Sequence, residues 1–379
     1  MTDAVADSKA SSSPSPPPRF ESIDALRGFD MFWIIGAGSI VMGLRKVSDA
    51  EWVKLLADQL EHVPWSGFHF YDLIFPLFVF LVGVSSVFSL QRIVDRHGKA
   101  AAYWRLIRRA VVLYLLGLFY YGGLSRDGGP EMFRYVGVLQ RIAICYLFGG
   151  IILLNCKLRG MIIALAVILL SYWAMMTFIP VPGVGPGDFS EGKNLANYFD
   201  TQYLPGYKWD GDWDPEGLLS NLPAIGSGIL GMFAGMILMN PAFTSLQRMT
   251  WLIGLGVGCL LVGWLWGFQF PINKKLWTSS FVLFAAGWSY LLVALFHAVI
   301  DIAKFDIWAR PFVWIGMNSI TIYMLTNLIS FRSVVLRVVH PPLLSAMGNW
   351  AELVVSLLSL SLCVGICYLL YRKQLFLRV

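Results

Sequence analysis

Charge is what this sequence most lacks. Of its 379 residues only 14% are Asp, Glu, Lys or Arg, while 57% are hydrophobic and 15% aromatic; soluble domains carry about 25% charged residues. With a mean hydropathy of +0.65, the composition excludes a soluble globular fold and points to an integral membrane protein. Cysteine is also scarce. The five residues Cys145, Cys156, Cys259, Cys363 and Cys367 include no Cys-x-x-Cys pair and have no histidine at ligand spacing. That excludes a disulfide framework or zinc-finger pattern and leaves them as packing residues. No Asn-x-Ser/Thr acceptor occurs, so nothing marks a glycosylated luminal protein. A Walker loop, a dinucleotide fingerprint and a His-Glu-x-x-His motif are absent as well. Neither ATP hydrolysis nor a tightly held metal is expected. The net charge of +6 reads as a topology signal on the cytoplasmic side of a bilayer rather than as a nucleic-acid footprint.

At about 20 residues per crossing, the apolar runs predict an all-α fold, a polytopic membrane helix bundle with about ten transmembrane helices. They lie near 28–44, 70–91, 109–124, 136–156, 159–179, 222–240, 250–268, 277–299, 311–331 and 351–371. Residues 1–19, rich in Ser and Pro, lack the apolar core of a signal peptide and are expected to be a disordered cytoplasmic tail. A single membrane domain then covers 20–379, with Ser22 placed to cap the first helix. An even number of spans returns both termini to one side. The cluster Arg92, Arg96, Lys99, Arg105, Arg108 and Arg109 makes that side the cytoplasm. Residues 49–62 show helical apolar spacing but are too short to span, which suggests an interfacial helix on the outer face. The outer loop 180–221 mixes carboxylates with Tyr198, Tyr203, Tyr207, Trp209 and Trp213. Such a surface suits a sugar or a cationic amine, and equally an ordinary interfacial aromatic belt.

The chemistry concentrates around His62. It precedes the Pro64-Trp65-Ser66-Gly67 turn and stands ten residues before Asp72, which opens an intensely apolar segment. An imidazole with an ordinary pKa of about 6.5 can take a proton from an amine or hydroxyl at neutral pH. A carboxylate at membrane depth costs about 2.5–3.5 kcal/mol, so Asp72 needs a partner; Arg27, Arg141 and His62 are the candidates. Asp24 and Arg27, three apart, share a helix face. Arg141, next to Gln140, sits inside a span, as does Asn318, whose simplest role is hydrogen bonding between helices. Lys274 and Lys275 follow Asn273 in an outer loop, against the usual charge bias, and so suggest an anion such as a phosphate.

In order along the chain, Ser22-Ile23-Asp24-Ala25-Leu26-Arg27-Gly28, His62-x-x-Trp65-Ser66-Gly67, the Asp72 segment, Gly137-Val138-Leu139-Gln140-Arg141, Asp214-Pro215-Glu216-Gly217, Asn273-Lys274-Lys275-Leu276-Trp277-Thr278 and Gly316-Met317-Asn318 resemble the heparan-alpha-glucosaminide N-acetyltransferase family, and its bacterial branch in particular. The resemblance implies a transmembrane acetyl transfer. Cytoplasmic acetyl-CoA would be the donor and an amino sugar or glycan on the far, periplasmic side the acceptor, in a bacterial inner membrane and in a homodimer by analogy. It puts the active-site histidine at His62, as general base or acetyl carrier, with Asp72 orienting it. Asp24, Arg27, Trp65, Gln140, Arg141, Asn273, Lys274, Lys275 and Asn318 become substrate or CoA contacts. Gly36-Ala37-Gly38-Ser39 departs from the family, which carries an asparagine near the end of the first span. The competing reading is a saccharide or lipid-linked glycan transporter without chemistry, although no internal repeat of the kind common in transporters is evident.

Overall fold

A computed structural model describes residues 20–121 and 132–377. The expected tail at 1–19 therefore lies outside the described residues. Among those described, ordered structure is helical throughout, with only two isolated bridge contacts, Arg134 with Gly206 and Val181 with Gly185. Backbone groups in hydrocarbon must bond within their own segment, so apolar runs of this length have no other stable form.

The first span is α1 (Glu21–Phe32) and α2 (Gly38–Arg45), joined by a widened turn at Trp33–Ala37 where Gly36 takes φ 130°. Ser22 does not cap α1. Its hydroxyl donates instead to Asp301, a carboxylate that also meets His297 Nδ1 at 2.8 Å, and this ties the start of α1 to the end of a later span. The short α3 (Glu51–Gln59) buries Val53 and Ala57 and leaves Trp52, Leu55 and Leu56 outward, as an interfacial helix should.

The two spans expected at 70–91 and 109–124 form one helical element, α4 (Phe70–Tyr120, 51 residues). Straight, it would reach about 77 Å, more than twice the hydrocarbon thickness of about 30 Å. It folds back at Gly98, which adopts φ 79°, ψ 173°, a conformation open to glycine and costly for other residues. Its two ends consequently line the same cavity, Tyr71 and Asp72 from one leg and Tyr120 and Tyr121 from the other.

There follow α5 (Val138–Asn155), α6 (Leu158–Phe178), the loop helix α7 (Leu195–Tyr203), α8 (Asn221–Met239), α9 (Ser245–Gly267) and α10 (Ser279–Phe296). The span expected at 311–331 is broken. Asn318 separates α11 (Arg310–Met317) from α12 (Ser319–Leu328), and α13 (Phe331–Val338) turns away from α12 by 61°. The short α14 (Pro341–Ala346) and α15 (Trp350–Arg372) complete the chain. By length and composition eight of the described helices can cross a membrane, or nine if the bent α12–α13 pair is one span.

Burial sorts these helices into two rings. In α4 and α8, 72% of the apolar stretch is buried, whereas α6, α9 and α15 bury 28% or less and turn their leucines outward toward lipid. The closest crossing joins α1 to α11. A Cβ on Gly28 would stand 1.6 Å from the Phe312 carbonyl oxygen, and one on Gly316 would stand 2.0 Å from that of Asp24. Small residues let backbones meet where no hydrophobic effect drives helices together.

Candidate active site

The connection from α3 to α4 is a tight turn pinned to a distant loop. Gly67 takes φ 130° and its N–H donates to the Ile272 carbonyl at 2.9 Å. The loop at 271–278 is in turn closed by Asn273, whose Oδ1 accepts the Leu276 N–H at 2.9 Å and whose own N–H donates to Thr278 Oγ1 at 3.2 Å. Two segments some 200 residues apart in sequence are thus locked together, with His62 on one and Lys274 on the other.

Asp72 is 1% exposed and sits in the first turn of α4. Its Oδ2 accepts the backbone N–H of His69 at 3.0 Å and that of Val63 at 3.4 Å; its Oδ1 meets His62 Nδ1 at 2.8 Å. The carboxylate therefore caps its helix and orients an imidazole at once. Because an ionised carboxylate only accepts, Nδ1 carries the proton and Nε2 is left with the basic lone pair, the tautomer a general base requires. Tyr71 packs its ring 4.7 Å from that of His62. The other histidine of the turn, His69, points away, with Nδ1 2.9 Å from the Glu61 carbonyl.

Lys274 completes the cluster. Its Nζ stands 3.1 Å from both ring nitrogens of His62 and 3.7 Å from Asp72 Oδ1. Burial lowers its pKa from the ordinary lysine value against the opposing pull of Asp72 and Glu216. Lys275 faces the other way. It pairs with Asp210 at 2.9 Å and Glu191 at 3.7 Å and lies over the Trp213 ring at 5.2 Å. Trp65 belongs to the same group, its ring 5.9 Å from Lys275 Nζ, donating through Nε1 to the Phe189 carbonyl at 2.8 Å and packing edge-on to Trp213 at 5.5 Å.

These residues rim a cavity of about 740 Å³, within the size range of small-molecule sites. Its lining joins a polar group, His62, Trp65, Asp210, Glu216, Arg134, Lys274 and Lys275, to an apolar one that includes Met31, Ile34, Phe78, Ile142 and Ile320. Phe78 lies six residues beyond Asp72, or about 9 Å further along α4. A polar headpiece and a slender apolar arm would both find matching walls.

Arg134 and Glu216 went unassigned at the sequence level. The Arg134 guanidinium is 3% exposed, forks onto Asp214 at 2.8 and 2.7 Å, reaches Glu216 at 2.5 Å and stacks over Tyr121 at 4.3 Å. Burial opposes its charge, but the two carboxylates outweigh burial and hold its pKa above that of an ordinary arginine. Burial raises that of Glu216. Beside them Asp200 is pushed up to about 6 by burial, although it accepts the Leu218 N–H at 2.8 Å. The loop at 180–221 is therefore a folded wall with internal ion pairs rather than a solvated strap. Its one sequence signal was Asp214-Pro215-Glu216-Gly217.

The other predicted contacts scatter. Gln140 and Arg141 lie on the first turn of α5. Gln140 donates to the Arg134 carbonyl at 3.2 Å, while Arg141, 1% exposed, stacks on the cavity-lining Trp277 at 4.7 Å and bonds Ser220. Among the described residues no carboxylate lies within ion-pair distance of Arg141, and its Nη1 is buried without a partner. Asn273 sits behind the cavity wall, its Nδ2 also buried without a partner. Asn318 donates to the Trp314 carbonyl at 3.0 Å at the break between α11 and α12, next to cavity-lining Ser319. Asp24 and Arg27 do pair, at 3.2 Å, but Arg27 also bonds Ser85 at 2.6 Å. Ser85 is thirteen residues beyond Asp72, about 20 Å down the helix, so the structure does not bring this pair to His62.

A polytopic helical membrane protein with a histidine–carboxylate pair at the mouth of a deep cavity is the class that fold and site define. The sequence profile described as heparan-alpha-glucosaminide N-acetyltransferase, catalytic, matches residues 19–204, which include His62, Asp72 and Arg141. The mouse heparan-alpha-glucosaminide N-acetyltransferase is 27% identical over 84% of this chain and 56% of its own length; the human protein is 26% identical over 96% of this chain and 60% of its own. The chain is thus similar to the heparan-alpha-glucosaminide N-acetyltransferases, and it spans less than two thirds of the length of those curated proteins.

Proposed function

We propose that this protein is a membrane-embedded acetyltransferase that moves an acetyl group from acetyl-CoA to the amine of an amino sugar, with His62 as general base. The observation that carries this reading is the His62–Asp72 contact of 2.8 Å at the cavity mouth. It supplies an oriented base whose conjugate acid a buried carboxylate stabilises. In the proposed step Nε2 takes a proton from the acceptor amine as its nitrogen attacks the thioester carbonyl. The carbon–nitrogen bond forms, the carbon–sulfur bond breaks, and the departing thiolate takes the proton from the imidazolium. The developing oxyanion needs a donor. Arg141 Nη1 and Asn273 Nδ2 are buried donors without partners, whereas the free atom of Asn318 is its acceptor, Oδ1; none of the three lines the cavity, whose wall carries the donors Arg134 and Lys274 instead.

The fold of α4 supports one sidedness. The basic cluster at the bend is about 36 Å from Asp72 if Arg96 is taken as its centre, roughly one bilayer. If that cluster faces the cytoplasm, His62 opens to the far side, the acceptor arrives there, and the apolar depth of the cavity takes the arm of CoA. The same argument puts the start of α1 in the cytoplasm, and a bacterial inner membrane is the setting we infer. The test is transfer from radiolabelled acetyl-CoA to a panel of amino sugars by purified protein in nanodiscs. Transfer should be present in the parent and lost in His62→Ala with CoA binding retained. A parent that binds no CoA and transfers nothing would leave passive saccharide transport as the better account.

A further inference from the structure

The two adjacent lysines of the 271–278 loop meet opposite surroundings. Lys275 is a fully paired ammonium, between Asp210 and Glu191 and over the Trp213 ring. Lys274 shares the carboxylate of Asp72 with His62 at 3.7 Å and spends its closest contacts on the imidazole itself, 3.1 Å from Nδ1 and from Nε2. Nδ1 is committed to Asp72, so Nε2 is the nitrogen able to receive a proton; equal distances to both nitrogens put the amine beside the ring and off the in-plane axis of the Nε2 lone pair, one side-chain rotation from it. Lys274 also lines the cavity. Its amine therefore stands in the cavity within reach of the base, the nearest amine to the place an acceptor has to take. Burial adds to this by favouring the neutral, nucleophilic form of the amine.

We propose that Lys274 Nζ is a self-acetylation site, which takes the acetyl group from acetyl-CoA when no amino sugar fills the mouth and thereby shuts the enzyme. The inference rests on the acetyl-transfer reading above. An ammonium at Lys274 first loses a proton to solvent. The neutral amine then attacks the thioester carbonyl while His62 Nε2 takes its second proton; the nitrogen–carbon bond forms and the carbon–sulfur bond breaks. CoA leaves as a thiolate and takes the proton from the imidazolium, so the products are an acetamide and free CoA thiol. The acetamide is neutral and cannot be displaced by the next substrate. It removes the cation beside Asp72 and leaves added bulk against the imidazole.

The experiment incubates the purified full-length protein with acetyl-CoA in the absence of sugar, digests it, and maps acetyl groups by tandem mass spectrometry. In parallel, acetyl transfer to glucosamine is measured before and after the incubation. One acetyl group is expected on Lys274 and none on Lys275. It should be suppressed by saturating glucosamine, slowed about a hundredfold or more in His62→Ala, and matched by a proportional fall in later sugar transfer. In Lys274→Arg, preincubation should no longer lower the variant's own starting rate. An unmodified Lys274 in protein that acetylates glucosamine overturns the inference and leaves the function intact. So does equal labelling of both lysines that is independent of His62. Transfer to neither sugar nor lysine overturns both.

Discussion

Replacing Asp72 by Asn tests the site at its most constrained atom. Oδ2 of Asp72 is held by two backbone donors, His69 N–H at 3.0 Å and Val63 N–H at 3.4 Å. The carbonyl oxygen of an asparagine has to occupy that position, because the amide nitrogen cannot accept. Its NH₂ group then faces His62 Nδ1 across the 2.8 Å gap and can be satisfied only if Nδ1 gives up its proton. The imidazole is forced into the tautomer protonated at Nε2 and loses its basic lone pair toward the cavity. General-base catalysis contributes about 10²–10⁴-fold, and the same exchange behind a catalytic histidine elsewhere costs about 10⁴-fold. We therefore expect Asp72→Asn to lower kcat by about 10²–10⁴-fold, or roughly 3–5 kcal/mol, with KM for acetyl-CoA little changed. The helix cap survives, so the variant should fold and elute as the parent does. The assay is initial-rate acetyl transfer to glucosamine in nanodiscs. A variant within about threefold of the parent would refute the orienting role, since it lies far below the general-base range.

Asp200 gives a stability signature outside the membrane. Its carboxyl is raised from 3.8 to about 6 by burial, so its contribution is fully present below the unfolded value and is lost as pH rises through about 4 to 6. That amounts to about 3 kcal/mol for roughly two units. The thermal midpoint of the parent minus that of Asp200→Asn, followed by tryptophan fluorescence in detergent, should therefore fall across that window; a difference that is flat or rises with pH would contradict it. Gly28→Ala would set a Cβ 1.6 Å from the Phe312 carbonyl oxygen, a backbone atom that can yield only by parting α1 from α11, whereas Gly38 has nothing within 4 Å of a new Cβ. A lower melting temperature and a loss of about 1–3 kcal/mol or more are expected for the first, and no change for Gly38→Ala. Equal behaviour of the two would remove the close crossing from the account.

Much of the architecture was legible because bilayer physics leaves few alternatives. Long apolar runs have to be helices, and α5, α6, α8, α9 and α15 fall within a few residues of their expected positions. The departures occur where a local residue overrides the run. Gly98 bends a helix that continues through a basic stretch, which hydropathy reads as a loop. Asn318 breaks a segment that carries no charged residue and that hydropathy reads as one span. Ser22 had the chemistry of a cap but found a better acceptor in Asp301, 279 positions away and invisible to local pattern.

The site divides the same way. His62, Trp65 and Asp72 were readable because a histidine, a proline–glycine turn and a carboxylate at the edge of hydrocarbon are each costly or distinctive within a dozen residues. Lys274 stood out as a cation on the less basic face, although an anion was the expected partner and its nearest neighbour is the imidazole. Asp24 and Arg27 were correctly paired with each other, yet the pair lies a helix length from the mouth. Arg134 carried no signal of its own, since its meaning comes from Asp214 and Glu216, eighty residues on. What the sequence by itself determined is the set of helices, the identity of the ionisable residues and the costly positions they occupy, because hydration, helix rise and the price of charge in hydrocarbon are local. What only the tertiary structure decided is which of those residues face one another. Helix packing sets that through close glycine crossings and loop-to-loop hydrogen bonds, and those distances are written in no single segment of the chain.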